Sequence, residues 1–224
     1  LSMRMLPLQA SFQKLVRLVR DLSKNSGKKI EISVKGEDTE LDRNVIEILS
    51  DPLMHLIRNS VDHGIESPEE RIKSSKSETG TIKLNAYHQS GMVIIEISDD
   101  GKGLDKDIII KKAISKGFIK DSDNLSDHQI YNIIFLPGFS TADKITDLSG
   151  RGVGMDVVKK NIDLLHGRVD IETAKGNGTI FRIKIPLTLA IIDGMIIRVG
   201  DQRFIIPTIN IIESLRPKKK IYPM

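Results

Sequence analysis

Asp51-Pro52-Leu53-Met54-His55-Leu56-Ile57-Arg58-Asn59-Ser60-Val61-Asp62-His63-Gly64 is the stretch on which the reading of the fold turns. Ser50 or Asp51 suits an N-cap, Pro52 suits the first turn and Gly64 suits a C-cap, so a helix is predicted over residues 51–63. At about 100° per residue, Leu53, Leu56, Ile57, Ser60 and Val61 gather on one side. His55, Asn59, Asp62 and His63 gather on roughly the opposite side. A solvated helix face is the plain reading of that second set. Two histidines and an asparagine are nevertheless odd choices for solubility, where Lys and Glu have better helix propensity. An Asn carbonyl is a neutral, hard oxygen ligand that suits Mg²⁺, an ion that keeps several waters and takes phosphate oxygens.

Upstream of this helix, a separate short helix is predicted over 42–49, and Ile30, Ile32 and Val34 alternate as a half-buried strand. Phe12, Leu15, Val16, Val19 and Leu22 make one face of an amphipathic helix over 11–23, and residues 1–8 read as the end of an earlier element. Downstream, residues 65–80 are polar and loop-like. Ile82, Leu84 and Ala86, then Met92 to Ile97, make a β-hairpin around Gln89-Ser90-Gly91. A helix over 106–116 stops at Gly117, and a capping box, Ser126 with Gln129, opens another. Residues 135–152 are rich in Gly, Ser and Thr and read as a long mobile loop. A helix over 153–166 and strands over 168–173 and 178–185 follow, joined by Lys175-Gly176-Asn177-Gly178. After Pro186 the chain turns rich in Ile, Leu and Val, with Gly200-Asp201 as a hairpin turn. This order of elements predicts an α/β sandwich, one mixed or largely antiparallel sheet with helices on one face.

The chain has 224 residues, 39% of them apolar, enough to bury a real core in one large domain plus a piece of another. The formal charge of +4 is diluted by nearly equal acid, so it permits a polyanionic ligand without announcing nucleic acid. Without Cys there is no disulfide and no thiolate metal site, and 4% aromatics make a base-stacking platform a poor reading. With no apolar run of about 18 residues and no basic-then-apolar leader, a soluble, cytoplasmic protein without direct membrane insertion is expected.

Three more clusters carry candidate chemistry. Asp99-Asp100-Gly101-Lys102-Gly103 directly follows an apolar strand, where glycines let the backbone approach a ligand and an Asp at a strand end can accept from an exocyclic amine. Ser149-Gly150-Arg151-Gly152-Val153-Gly154-Met155 opens a helix, whose free N–H groups and positive dipole end suit an anion. Gly176-Asn177-Gly178-Thr179 precedes the last strand of the region. Taken singly, these read as an Asp-Gly turn, a weak glycine motif and a hairpin turn. There is no GxxxxGK[ST], no HExxH and no GxSxG, which removes a P-loop and argues against a zincin or a triad hydrolase.

The ordered set resembles the Bergerat ATP-binding fold shared by gyrase, MutL mismatch-repair proteins, certain heat-shock chaperones and histidine kinases. Within that superfamily it looks most like the chemotaxis histidine kinases. The residues that carry this are His55-Leu-Ile-Arg58-Asn59-Ser-Val-Asp62-His63-Gly64-Ile-Glu66, Gly36-Glu-Asp-Thr-Glu-Leu-Asp42, Phe135-Leu-Pro137-Gly138-Phe139-Ser140-Thr141 and Ser149-Gly-Arg-Gly-Val-Gly-Met-Asp-Val-Val158. The resemblance implies a two-layer sandwich with a mobile ATP lid. It divides the chain into the end of a dimerisation helix (1–8), an ATP-binding kinase domain (9–186) and the start of an SH3-like regulatory domain (187–224). It further implies ATP and Mg²⁺ as cofactors and transfer of the γ-phosphoryl group to a histidine on a separate phosphoacceptor domain. The expected partners are that domain, a second copy of the kinase, and the coupling protein CheW with membrane chemoreceptors in a two-component phosphorelay.

Carried over by position, Asn59 holds Mg²⁺, Asp99 accepts from the adenine amino group, and Gly101 and Gly103 shape the base pocket. Gly150, Arg151, Gly152, Val153, Gly154 and Met155 cradle the phosphates. Ser140 and Thr141 belong to the lid, and Lys144 on it reaches a terminal phosphate. Thr179 closes the pocket from the sheet, while His55, Arg58, Asp62 and His63 line the phosphate side. Gyrase-type ATPases place a water-activating Glu four residues before the Asn; here that position is His55. A neutral imidazole can act as a base near pH 7 or donate to the γ-phosphate, and both roles stay open. An ATP hydrolase and an ATP-sensing module are the rival readings.

Overall fold

A computed structural model describes residues 5–120, 123–139, 154–187, 194–207, 211 and 213. They fall into two units, Leu1–Leu187 and Thr188–Met224. In the first, strands β1 (Met5–Pro7), β2 (Ile30–Lys35), β3 (Glu40–Asp42), β4 (Gly80–Gln89), β5 (Met92–Asp99), β6 (Arg168–Ala174) and β7 (Gly178–Pro186) alternate with helices α1 (Gln9–Ser26), α2 (Arg43–Asn59), α3 (Pro68–Lys73), α4 (Lys106–Ser115), α5 (Asp127–Asn132) and α6 (Met155–Leu164).

The main sheet has five strands in the order β2-β4-β5-β7-β6. Only β2 and β4 run parallel; the other pairs are antiparallel. Strand alternation then decides which face is wet. Ile82, Leu84 and Ala86 of β4, Val93, Ile95 and Ile97 of β5, and Phe181, Ile183 and Ile185 of β7 all point to one side. They are buried there with Phe12, Leu15 and Val19 of α1, Leu49, Leu53 and Leu56 of α2, and Val158 and Ile162 of α6. The opposite face carries cross-strand ion pairs: Arg182 meets Glu96 and Glu172, and Lys184 meets Asp170. This unit is therefore the expected two-layer α/β sandwich, with helices on one face of a mainly antiparallel sheet.

Four local expectations need correction. Met5–Pro7, read as the end of a helix, is a strand paired antiparallel with Glu40–Asp42. The two helices expected over 42–49 and 51–63 are one, capped by the Asp42 side chain, which accepts from the Asn44 N–H. Such a cap is worth about 1 kcal/mol. Pro52 lies inside that helix, its ring buried beside Leu49 and Leu53. Packing of this apolar side offsets the hydrogen bond a proline cannot donate. The stretch 65–80, read as loop, holds α3, whose capping box pairs Ser67 with Glu70 and whose first position is Pro68. That signal stood in the sequence as Ser67-Pro68-Glu69-Glu70.

The fourth correction lies at the end of α2. Gly64 is not a left-handed cap. Residues Ser60–Gly64 form a π-turn, closed by Ile65 N–H donating to the Ser60 carbonyl at 2.8 Å. π-turns insert one residue relative to α-helical pitch and recur at functional sites.

The second unit contains a hairpin of β8 (Gly194–Val199) and β9 (Gln202–Pro207), turning at Gly200-Asp201 as expected. Met195, Ile196, Val199, Phe204 and Ile205 are exposed on it.

Candidate functional site

Asp99 is the last residue of β5, paired with Ile82 on one side and Thr179 on the other. The period of two that turns Ile95 and Ile97 inward also turns Asp99 inward, beneath the end of α2. It is 8% exposed, and Thr179 beside it is 5% exposed. Buried carboxylates need hydrogen-bond donors. Asp99 Oδ2 accepts from Ser60 Oγ at 3.0 Å, and Oδ1 accepts from the Gly101 N–H at 3.0 Å. Burial nevertheless pushes its carboxyl above the ordinary aspartate range, partly countered by the donors from Gly101, Ser60 and Thr179.

Backbone crosses close to this carboxylate. A Cβ on Gly64 would stand 3.1 Å from Asp99 Oδ2, and one on Gly101 would stand 2.2 Å from the Gly64 carbonyl oxygen. Gly103 faces the β6–β7 turn, where a Cβ would stand 2.3 Å from the Ala174 carbonyl. Gly178 has φ +89°, and a Cβ there would stand 1.9 Å from the Asp99 carbonyl. No side chain fits between these strands. Thr173 Oγ1 lies 3.2 Å from Thr179 Oγ1 and accepts from the Leu104 N–H, tying β6 to the loop after Gly103.

One residue before Ser60, Asn59 points elsewhere. Its Nδ2 donates to Met155 Sδ at 3.0 Å, bringing the end of α2 against the first residue of α6. Among the described residues its carbonyl oxygen has no partner. Gly154 precedes α6 without a side-chain cap, and the Val157 N–H closes the first turn on the Gly154 carbonyl at 3.1 Å, so the Met155 and Asp156 N–H groups have no acceptor within the helix. His55, one turn before Asn59, is half-buried and feels Arg58, Asp156 and His63. Burial lowers its affinity for a proton, Arg58 lowers it further, and Asp156 opposes both. His55 is therefore neutral at pH 7.

The expected residues thus gather at two ends. Asp99, Gly101, Gly103 and Thr179 meet at the sheet; His55, Arg58, Asn59, Gly154 and Met155 meet between α2 and α6. Asp62 and His63 stand exposed in the π-turn, with His63 near enough to His55 to disfavour its protonation. Ser140, Thr141, Lys144, Gly150, Arg151, Gly152 and Val153, and with them most of the expected lid, lie outside the described residues. Sequence reasoning missed Ser60, Gly64 and Gly178 as partners of Asp99. Ser60 had a readable signal, being the one polar residue on the apolar side of its helix.

An inward carboxylate at a strand end, ringed by glycines, and an open asparagine at a helix N-terminus define a nucleotide-binding α/β sandwich. The chain belongs to the histidine kinase-, DNA gyrase B- and HSP90-like ATPase family, whose model matches residues 48–189. It is 50% identical over 216 residues to the chemotaxis protein CheA of Bacillus subtilis, covering 96% of this chain and 32% of that protein. It is likewise 50% identical over 215 residues to the sensor histidine kinase CheAY of Helicobacter pylori, covering 95% of this chain and 27% of that protein. The chain thus spans about a third or less of the length of these relatives. Among solved structures, the catalytic domain of the histidine kinase ThkA superposes with a TM-score of 0.52 at 18% identity, over 84% of this chain and 97% of that one. At that identity the likeness is one of fold.

Proposed function

We propose that this chain is the ATP-binding catalytic domain of a chemotaxis histidine kinase, passing the γ-phosphoryl group of ATP to a histidine on a separate phosphoacceptor domain. One observation carries the reading: consecutive residues, Asn59 and Ser60, serve the two ends of one site. The Ser60 hydroxyl holds the base-reading carboxylate of Asp99, and the Asn59 amide stands at the start of α6.

Asn59 fits Mg²⁺, since its half-exposed carbonyl oxygen is a hard neutral ligand left unpartnered among the described residues. The ion, when bound with ATP, would neutralise charge on the phosphates. The Met155 and Asp156 N–H groups at the start of α6 would add donors, and Asp99 fixes the purine. Neutral His55 then hydrogen-bonds the transferred group. The acceptor imidazole supplies the electron pair for the new N–P bond, and the bond from the γ-phosphorus to the bridging oxygen breaks as ADP leaves. Positioning and charge stabilisation account for most of such catalysis.

The histidine at position 55, where a hydrolase of this superfamily carries Glu, favours transfer over hydrolysis. The names borne by the relatives support the same assignment. In this reading residues 9–186 are the kinase domain, and 187–224 begin the regulatory domain through which CheW and chemoreceptors act on a cytoplasmic homodimer. Labelled ATP plus an isolated phosphoacceptor domain tests it. Label on histidine is the expected result; free phosphate would make the chain a hydrolase, and neither would make it a sensor. The chain alone is expected to bind Mg·ATP and take up no acid-labile label.

A further inference from the structure

Arg71 is 1% exposed, the most fully buried charged residue described. A buried guanidinium is costly unless every donor finds an acceptor. Here all three nitrogens do. Nε donates to the Ser77 carbonyl at 2.6 Å. Nη1 donates to Glu66 Oε2 at 3.2 Å and to Asp100 Oδ1 at 3.1 Å, and Nη2 donates to Asp100 Oδ2 at 2.9 Å, a bidentate fork on one carboxylate. Lys76 approaches from the same side. Its Nζ donates to Glu66 at 2.7 Å, to the Asp100 carbonyl at 3.0 Å and to the Gly101 carbonyl at 2.7 Å.

Two cations therefore converge on the side chain and both carbonyls of Asp100-Gly101, the two residues that follow Asp99. The Gly101 N–H is itself a donor to Asp99 Oδ1. The turn is also tied at Lys102, whose N–H donates to the Gly64 carbonyl at 3.0 Å. Stability alone does not call for this arrangement, because buried ion pairs are often replaceable by apolar side chains without loss. A fixed orientation does call for it, because a fork holds a turn in one geometry where apolar packing tolerates several.

We propose that Arg71, seconded by Lys76, is a positioning residue for purine recognition: it clamps the turn after Asp99 so that the carboxylate stays aimed at a 6-amino group. The proposal rests on the reading of Asp99 as the acceptor for the base. Balancing the Asp100 charge also serves that end, since Asp100 disfavours ionisation of Asp99.

The test is calorimetric binding of Mg·ATP and of Mg·purine riboside triphosphate, which lacks the 6-amino group, to the whole chain. The wild type is expected to prefer ATP. Arg71→Met is expected to cut that preference about tenfold, a fraction of what a lost buried hydrogen bond costs, through weaker ATP binding. Analogue affinity stays within about twofold. Arg71→Lys does not restore the preference, because an ammonium cannot make the fork. Lys76→Met, with milder burial, loses about two- to fivefold and decides the matter if Arg71→Met does not fold. Equal weakening toward both nucleotides, or an unchanged preference, overturns the clamp and leaves the Asp99 reading standing. A wild type that does not distinguish the two nucleotides overturns the Asp99 reading, and the clamp with it.

Discussion

The two ends of the site are built differently. At the base end Asp99 is nearly sealed, both carboxylate oxygens are engaged, and Gly64 and Gly101 leave no room for a side chain beside them. At the phosphate end Asn59 and His55 are half-buried, and the Asn59 amide reaches across to a thioether, a weak acceptor. The base end is a finished part of the core that can discriminate by geometry before any ligand arrives. The phosphate end has groups left over, which suits a place where substrate oxygens complete the set.

The largest effect that would break this contrast is at the open end. Asn59→Ala is expected to abolish magnesium-dependent nucleotide binding or turnover while the unfolding midpoint moves by less than about 2–4 °C, the shift for 1 kcal/mol in a chain this size. Magnesium titration and a thermal melt check both halves, and unchanged magnesium dependence removes Asn59 from the role.

Next is His55. His55→Ala should slow phosphoryl transfer about 10²- to 10³-fold, the scale of one transition-state donor, with ATP affinity nearly unchanged. His55→Gln keeps a donor but takes up no proton, so single-turnover transfer to the acceptor domain should stay much closer to wild type. A glutamine variant as slow as the alanine variant would make His55 a base.

At the sealed end the expected loss is smaller and comes with a gain. Asp99→Asn should weaken ATP about 5- to 150-fold, the cost of an unpaired buried group. The folded chain holds the Asp99 proton more tightly than the unfolded chain does, because burial raises its carboxyl. That contribution to stability is full below the ordinary aspartate range and is lost as pH rises through the folded value. Removing the charge should therefore leave the midpoint at pH 7 equal to or above wild type. A clear drop would mean that the charged hydrogen bonds outweigh the burial cost.

The smallest effect is a pH dependence. Burial lowers the proton affinity of His55 in the fold. Its contribution to stability is present above about pH 6.5, the unfolded value, and declines as pH falls below it. Between pH 7 and 5.5 the melting midpoint of the wild type should fall further than that of His55→Gln; parallel melting curves would place His55 in solvent.

Much of this was legible from the residues. Alternation predicted the strands, and the order of helices and strands predicted the sandwich. What failed was local. Proline at 52 read as a helix start because an interior proline is disfavoured, yet it is buried inside the helix along with Leu49 and Leu53. Asp62 and His63 were placed by α-helical spacing, which ends at Asn59. Ser60 was placed on the apolar side of its helix with no role, since its partner lies 39 positions away and no spacing rule reaches that far. Arg71 lay unremarked in a stretch read as loop, because its partners Glu66, Asp100 and Lys76 come together only in the fold.

The π-turn at Ser60–Gly64 has a consequence for chain length. An ordinary helix end tolerates the loss of one residue by fraying a turn earlier. Here the surplus residue lets Gly64 pass beside the carboxylate that Ser60 already faces while Ile65 re-enters the core. Deleting any one residue of the five would restore plain α-helical bonding and swing that alignment out of phase. This segment should therefore accept substitutions at its exposed positions, Asp62 and His63, far more readily than any change in length.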